Sequence, residues 1–119
     1  MHKFKSFMKI ALAEAKNAAQ RSEVPVGAVI VNKHGEIVAK AGNRTKELKD
    51  PTAHAEILTI REACHKQKSE RLIGHSIYVT LEPCQMCLHA IINARIAKLY
   101  YGASDTSNNP SEILKITNK

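Results

Sequence analysis

Four residues of this 119-residue chain stand at spacings that could do chemistry together. His54 and Glu56 lie two apart in "DPTAHAEILTIREAC", where a polar stretch becomes apolar-periodic, and Cys84 and Cys87 lie three apart in "VTLEPCQMC". Two thiolates at that spacing on a helix start can converge on one ion, and tetrahedral zinc accepts such a pair together with an imidazole. A structural zinc site would usually add a second Cys pair or a His pair. The only other cysteine, Cys64, falls ten residues beyond His54 in a helical pattern and reads as a small buried hydrophobe. Three protein ligands and an open fourth position describe a catalytic zinc, one ion per chain.

His54 is the natural third ligand. His2 is terminal, His34 sits in a turn, His65 late in a helix and His75 ahead of a strand. His89 is the serious rival by proximity, but it would have to turn back towards the helix start. Glu56, on a different helical face from His54, can approach an activated water from the side, take its proton and pass it to a leaving amine. The bland alternative is a first-turn glutamate favoured by the helix dipole. H-x-E followed by P-C-x-x-C is the signature of zinc-dependent nucleobase deaminases, and both halves here fall where loops or strands become helices.

Those residues need elements to hold them. Phe4, Met8, Ala11, Leu12 and Ala15 recur at threes and fours, which predicts an N-terminal helix with one buried stripe, ended before "SEVP". "VPVGAVIV" is β-branched and of strand length, "NKHG" is a turn and "EIVAKAGN" alternates, so the three predict a β-hairpin. Residues 44–52 read as a polar loop, with Thr52 capping a helix from near Ala53 to near Lys68. "HSIYVTL" reads as a strand, "CQMCLHAIINAR" as a helix opened by Pro83, and "AKLYYG" as a last strand. This order predicts a three-layer α/β/α sandwich, its central mixed sheet opening with the hairpin and helices covering both faces. The tail "EILKITNK" suits a helical turn and a strand equally. With no internal repeat and no linker, residues 1–119 read as a single domain.

Composition sets the class. At 44% hydrophobic and 24% charged, with 5 Gly and 4 Pro, the chain is neither collagen-like nor low-complexity, and its composition argues against wholesale disorder. Aromatics are scarce, so the core must come from Ile, Leu, Val and Ala. A net charge of +7 favours phosphate backbones as partners, although the lysines are scattered. No run approaches the roughly 20 apolar residues of a membrane span. The basic, then apolar N-terminus is broken by Glu14 and Lys16 and reads as an amphipathic helix, not a signal peptide. Cysteine usage suits a reducing cytoplasm.

Taken together, "EVPVGAVIV", "AGNRTKELKDPTAHAEI", "RLIGHSIYVTLEPCQMC" and "INARIAKLYYGASD" resemble, over roughly residues 5–105, the bacterial tRNA-specific adenosine deaminases. These belong to the cytidine deaminase-like zinc deaminase superfamily and convert the wobble adenosine of an anticodon to inosine. The resemblance implies a cytoplasmic, homodimeric hydrolase of tRNA processing, with His54, Cys84 and Cys87 holding zinc and Glu56 shuttling protons. It further implies Asn43 on the purine edge and the Ala55 backbone N–H against the base. Pro25, Val26 and Ala28 would wall the pocket, Leu81, Glu82 and Pro83 would shape the opposite rim, and Asp105 would lie near a flanking sugar. Ala28 reads equally well as strand core.

Two departures from the family pattern stand out. "CQMCLHA" places His89 where a glycine is usual, and the family continues with a further strand and helix where only fourteen residues follow Asp105 here. The expectation is a shortened domain whose sheet edge and apolar surface are covered by a second copy of the chain. Single-stranded DNA is a further candidate partner. Competing readings are deamination of a free base or nucleoside (guanine, cytosine or cytidine), which needs no positive charge, and an inert zinc-stabilised homologue, in which Glu56 would be idle.

Overall fold

The computed structural model describes residues 4–102, so the calls on Asp105 and on "EILKITNK" lie outside the described residues. The first helix, α1 (Phe4–Gln20), buries Phe7, Met8, Ala11, Ala15 and Ala18, steps of three and four that make one stripe. Leu12, expected in that stripe, is 54% exposed instead: Phe7 and Ala18 fill the seam, and Leu12 falls beyond its edge. Ser22, in the left-handed region at φ 65°, turns the chain out of the helix.

Strands β1 (Gly27–Val31) and β2 (Ile37–Gly42) form the expected antiparallel hairpin, with Gly27 opposite Gly42. Its turn is organised by Asn32, whose Oδ1 accepts the N–H groups of His34 and Glu36. β1 also pairs antiparallel with β3 (Ser76–Val79), and β3 pairs parallel with β4 (Lys98–Tyr101), giving a mixed sheet of order β2-β1-β3-β4. β1 begins at Gly27 and not at Val24: Val24 and Pro25 are exposed, and the ladder starts only after the proline, which has no N–H to donate.

The two faces of the sheet are covered differently. Helix α1 lies on one, where Phe7, Met8, Ala11, Val29, Val31, Tyr78 and Tyr100 pack together. It approaches the hairpin closely because two glycines lie beneath it. A Cβ on Gly27 would overlap the carbonyl oxygen of Ala11, and one on Gly42 would come within 2.6 Å of that of Glu14. Helices α3 (Ala55–Gln67) and α4 (Gln85–Asn93) cover the other face over an aliphatic layer that includes Ile30, Ile77, Val79, Ile91 and Leu99.

The segment between β2 and α3 departs from expectation twice. It contains a single helical turn, α2 (Thr45–Leu48), in what read as a polar loop. Thr52 does not cap α3, which starts at Ala55 and not near Ala53. The Thr52 hydroxyl and N–H both go to Asp50 Oδ1 at 2.7 and 2.9 Å, a local Asx turn that outcompetes capping.

Candidate metal centre

Helices α3 and α4 begin at the same end of the sheet, and their starts build the site. His54 and Cys84 are the residues immediately before each helix, in extended backbone, and neither spends its side chain on a cap hydrogen bond. The imidazole and the thiol are therefore free to turn outwards. Cys87 lies one turn into α4 and is fully buried, while His54 is half-buried and Cys84 exposed. His54 Nδ1 is 3.5 Å from Cys87 Sγ and 3.8 Å from Cys84 Sγ, and all three donor atoms lie within 4.8 Å of one another. A tetrahedral zinc with bonds of about 2.1 Å to N and 2.3 Å to S has N···S edges of about 3.6 Å, so the donor set fits this ion. Both helix N-termini add positive potential that favours thiolates. His54, Cys84 and Cys87 are thus positioned to bind one metal ion, and they are the only such cluster among the described residues.

His89 is not part of it. Its Nδ1 lies 2.8 Å from the Gln85 carbonyl one turn back, and the ring is exposed. Cys64 is half-buried against the aliphatic core, and burial, together with Glu70, raises its thiol pKa, as befits an inert core thiol.

Beside the three donors lies a cavity of about 280 Å³ lined by Val24, Val26, Asn43, Thr45, His54, Glu56, Leu81, Glu82 and Cys84. Glu56 is only 4% exposed. Burial pushes its carboxyl above the usual carboxylate range, partly offset by its own backbone N–H, by His54 and by the Cys87 thiol. Burial also pushes the Cys87 thiol well up, with Glu56 and Cys84 adding to it. The site has the elements of acid–base chemistry: a buried carboxylate of raised pKa against a position where an ion would sit.

Of the residues expected at the pocket, Asn43, Val26, Leu81 and Glu82 line it, and Ala28, Pro25 and Pro83 do not. Ala28 is wholly buried in the sheet core, Pro25 is exposed, and Pro83 is half-buried outside the lining. Ala55 and Asn43, read as separate substrate contacts, are bonded to each other: the Ala55 N–H donates to Asn43 Oδ1 at 2.7 Å. The Ala55 N–H thus has an acceptor within the protein, and Asn43 satisfies the start of α3 from 12 residues upstream.

Sequence reasoning missed Val24 and Thr45, which line the cavity, and the polar groups behind them. Glu23 is 5% exposed and accepts from the Glu47 N–H at 2.8 Å, the Lys46 N–H at 3.2 Å and the Thr45 hydroxyl at 3.4 Å. Arg21 donates to the Asn43 carbonyl at 3.0 Å. A glutamate four residues ahead of β1 was the only signal, and without the fold it had no partner.

An α/β/α sandwich in which two helix starts bring one histidine, two cysteines and a buried glutamate together is the framework of a cytidine deaminase-like protein. The chain belongs to that family: the model described as the cytidine and deoxycytidylate deaminase zinc-binding region matches residues 1–103. A tRNA-specific adenosine deaminase of Agrobacterium fabrum is 59% identical over 99 residues, 83% of this chain and 64% of that protein. One of Rickettsia bellii is 46% identical over 106 residues, 88% of this chain and 73% of that protein. A structure from work on A-to-I editing by tRNA:A34 deaminases superposes with a TM-score of 0.85 at 56% identity, covering 87% of this chain and 79% of that one. A guanine deaminase of Bacillus subtilis gives 0.84 at 38% identity, covering 89% and 67%. The chain spans just under two thirds of the length of the Agrobacterium relative.

Proposed function

We propose that this chain is a single zinc-dependent deaminase domain that hydrolyses adenosine to inosine in nucleic acid, with the wobble adenosine of tRNA as its substrate. The observation that carries the reading is the convergence of His54, Cys84 and Cys87 at a cavity that Glu56 also lines. The net charge of +7 supports a phosphate-bearing substrate over a neutral small molecule. The named activity of the tRNA-specific relatives supports adenosine as the base.

In this reading His54, Cys84 and Cys87 hold the zinc. When bound, zinc supplies Lewis acidity, which brings the deprotonation of water within reach of neutral pH. Glu56 takes the water's proton and returns it to the departing amino group, so that water and adenosine give inosine and ammonia; its raised pKa suits both halves of that transfer. Asn43 Oδ1 is engaged by the Ala55 N–H, which leaves Nδ2 to donate to a ring nitrogen of the purine. Val24, Val26 and Leu81 supply the apolar walls that exclude water from the base.

A second reading, deamination of free guanine, is favoured by the likeness to the Bacillus subtilis guanine deaminase. The zinc-loaded chain should form inosine from a short anticodon stem-loop with adenosine at the wobble position, and Glu56→Ala should not. Turnover of free guanine or cytidine with none of the stem-loop would replace the first reading. No product above background from either the wild type or Glu56→Ala on any of these substrates, at full zinc occupancy, would point to an inert homologue.

The proposed assembly is a homodimer in the cytoplasm. No helix among the described residues is long and apolar enough to cross a membrane, and two of the three cysteines sit as free thiols at the metal position. Sedimentation equilibrium giving the monomer mass at micromolar concentration would remove the dimer.

A further inference from the structure

The mouth of the cavity has two sides that are distant in sequence. Val24 and Val26 form one and Asn43 and Thr45 the other. Beyond the β1–β2 ladder that ends beside them, they are joined by side chains that sit behind the lining. The Glu23 carboxylate receives the Thr45 hydroxyl and the N–H groups of Lys46 and Glu47, and Lys46 Nζ reaches back to the Ser22 carbonyl at 3.1 Å. The Asn43 N–H also donates to the Val26 carbonyl at 3.2 Å.

Glu23 is the centre of this arrangement for physical reasons. A carboxylate this buried is costly unless its oxygens are satisfied, and three donors meet it. Burial alone would raise its pKa, yet the N–H groups of Glu47 and Lys46, with the Thr45 hydroxyl and the Lys46 charge, hold it below the usual carboxylate range. It is therefore ionised at neutral pH. The turn it holds is only four residues long; Lys49 caps its C-terminal end in the left-handed region, but its N-terminal end has no local side-chain cap, since Arg44 makes no such bond. So short a helix cannot persist without tertiary support. At its N-terminal end the turn that places Thr45 at the cavity is held by a carboxylate 22 residues upstream.

We propose that Glu23 is a positioning residue for substrate binding, fixing the Thr45 side of the cavity mouth against the Val24 side so that the base meets a preformed slot. The inference rests on the deaminase reading of the pocket but not on which nucleic acid it serves. Glu23 touches neither the metal donors nor Glu56, so its loss should appear in binding and not in the chemical step.

The test compares Glu23→Gln and Glu23→Ala with the wild-type, zinc-loaded chain. Glutamine keeps the size but offers one acceptor oxygen and sets an NH2 against a backbone donor. The expected result is a KM for the stem-loop raised about tenfold with kcat within about twofold, the signature of lost uniform binding. Zinc content should be unchanged, and the amides of Lys46 and Glu47 should exchange faster with deuterium. Affinity for a purine ribonucleoside that lacks the 6-amino group should fall by a similar factor. An unchanged KM and unchanged ribonucleoside affinity, or zinc and kcat falling together, would overturn the proposal. If Glu23→Ala does not fold, Glu23→Gln carries the comparison. A wild-type chain that binds the ribonucleoside but deaminates nothing sinks the proposed function alone, because the affinity ratio still decides the role of Glu23.

Discussion

The hairpin beneath α1 and the layer beneath α3 and α4 receive their helices differently. Where α1 crosses the open end of the hairpin the chain removes atoms: glycines at 27 and 42, with alanines at 11, 15 and 18 above them, let the helix backbone approach closely, while Phe7, Met8, Tyr78 and Tyr100 fill the rest of that face. Under α3 and α4 it adds them, filling the gap with Ile30, Ile77, Val79, Ile91 and Leu99. The glycine contact therefore fails by gaining a methyl group and the aliphatic layer by losing one.

The sharpest way to break this contrast is Gly27→Val, which drives a branched side chain into the carbonyl of Ala11; we expect a loss of about 5 kcal/mol or more, read as failure to fold in urea titration. A soluble variant of near wild-type stability would mean that α1 can lift off its glycines. Glu56→Gln comes next, on a different axis. It should lower the rate about a thousandfold, about 4 kcal/mol on the barrier, with zinc retained and little change in melting temperature. A large drop in stability would show that chemistry and packing are not separable on the α3 and α4 face. Leu99→Ala should cost about 3 kcal/mol by leaving a cavity in the aliphatic layer, measured by chemical denaturation. A cost near zero would mean that this layer collapses freely.

The smallest effect is expected at Asp50, where the Thr52 hydroxyl and N–H hold the carboxyl below its ordinary value. A group depressed on folding stabilises above its unfolded pKa and loses that contribution as pH falls through the folded one. Asp50→Ala should thus lower the melting temperature slightly at pH about 7, with the gap closing below about pH 4. A gap that widens in acid would reverse the assignment.

The chemistry was legible in the sequence because spacing there has direct geometric meaning. Cys84 and Cys87 at a helix start, and His54 before another, need only the helix repeat to be placed. The hairpin and the helix order followed from hydrophobic patterning in the same way. What escaped notice depended on contacts between distant segments. Thr52 carries the local signal of a cap, but Asn43 supplies the acceptor for the Ala55 N–H. The turn at 45–48 has no local signal that could outweigh its polarity, because Glu23 stabilises it from 22 residues away. Leu12 misled for a related reason: its spacing suits the stripe, but the width of the groove beneath α1 decides which residues enter it.

The facing glycines also act as a check on errors in assembly. A hairpin can slip by two residues and still keep its inward and outward faces, so patterning alone would not reject the mistake. Here such a slip would break the pairing of Gly27 with Gly42 and set one of them opposite Lys40 or Val29. Helix α1 could not then seat on the pair, and the misaligned hairpin would be left without its cover. The helix farthest from the metal donors in the chain thus serves as a proofreader, accepting only the alignment that brings Asn43, at the end of the second strand, to the start of α3.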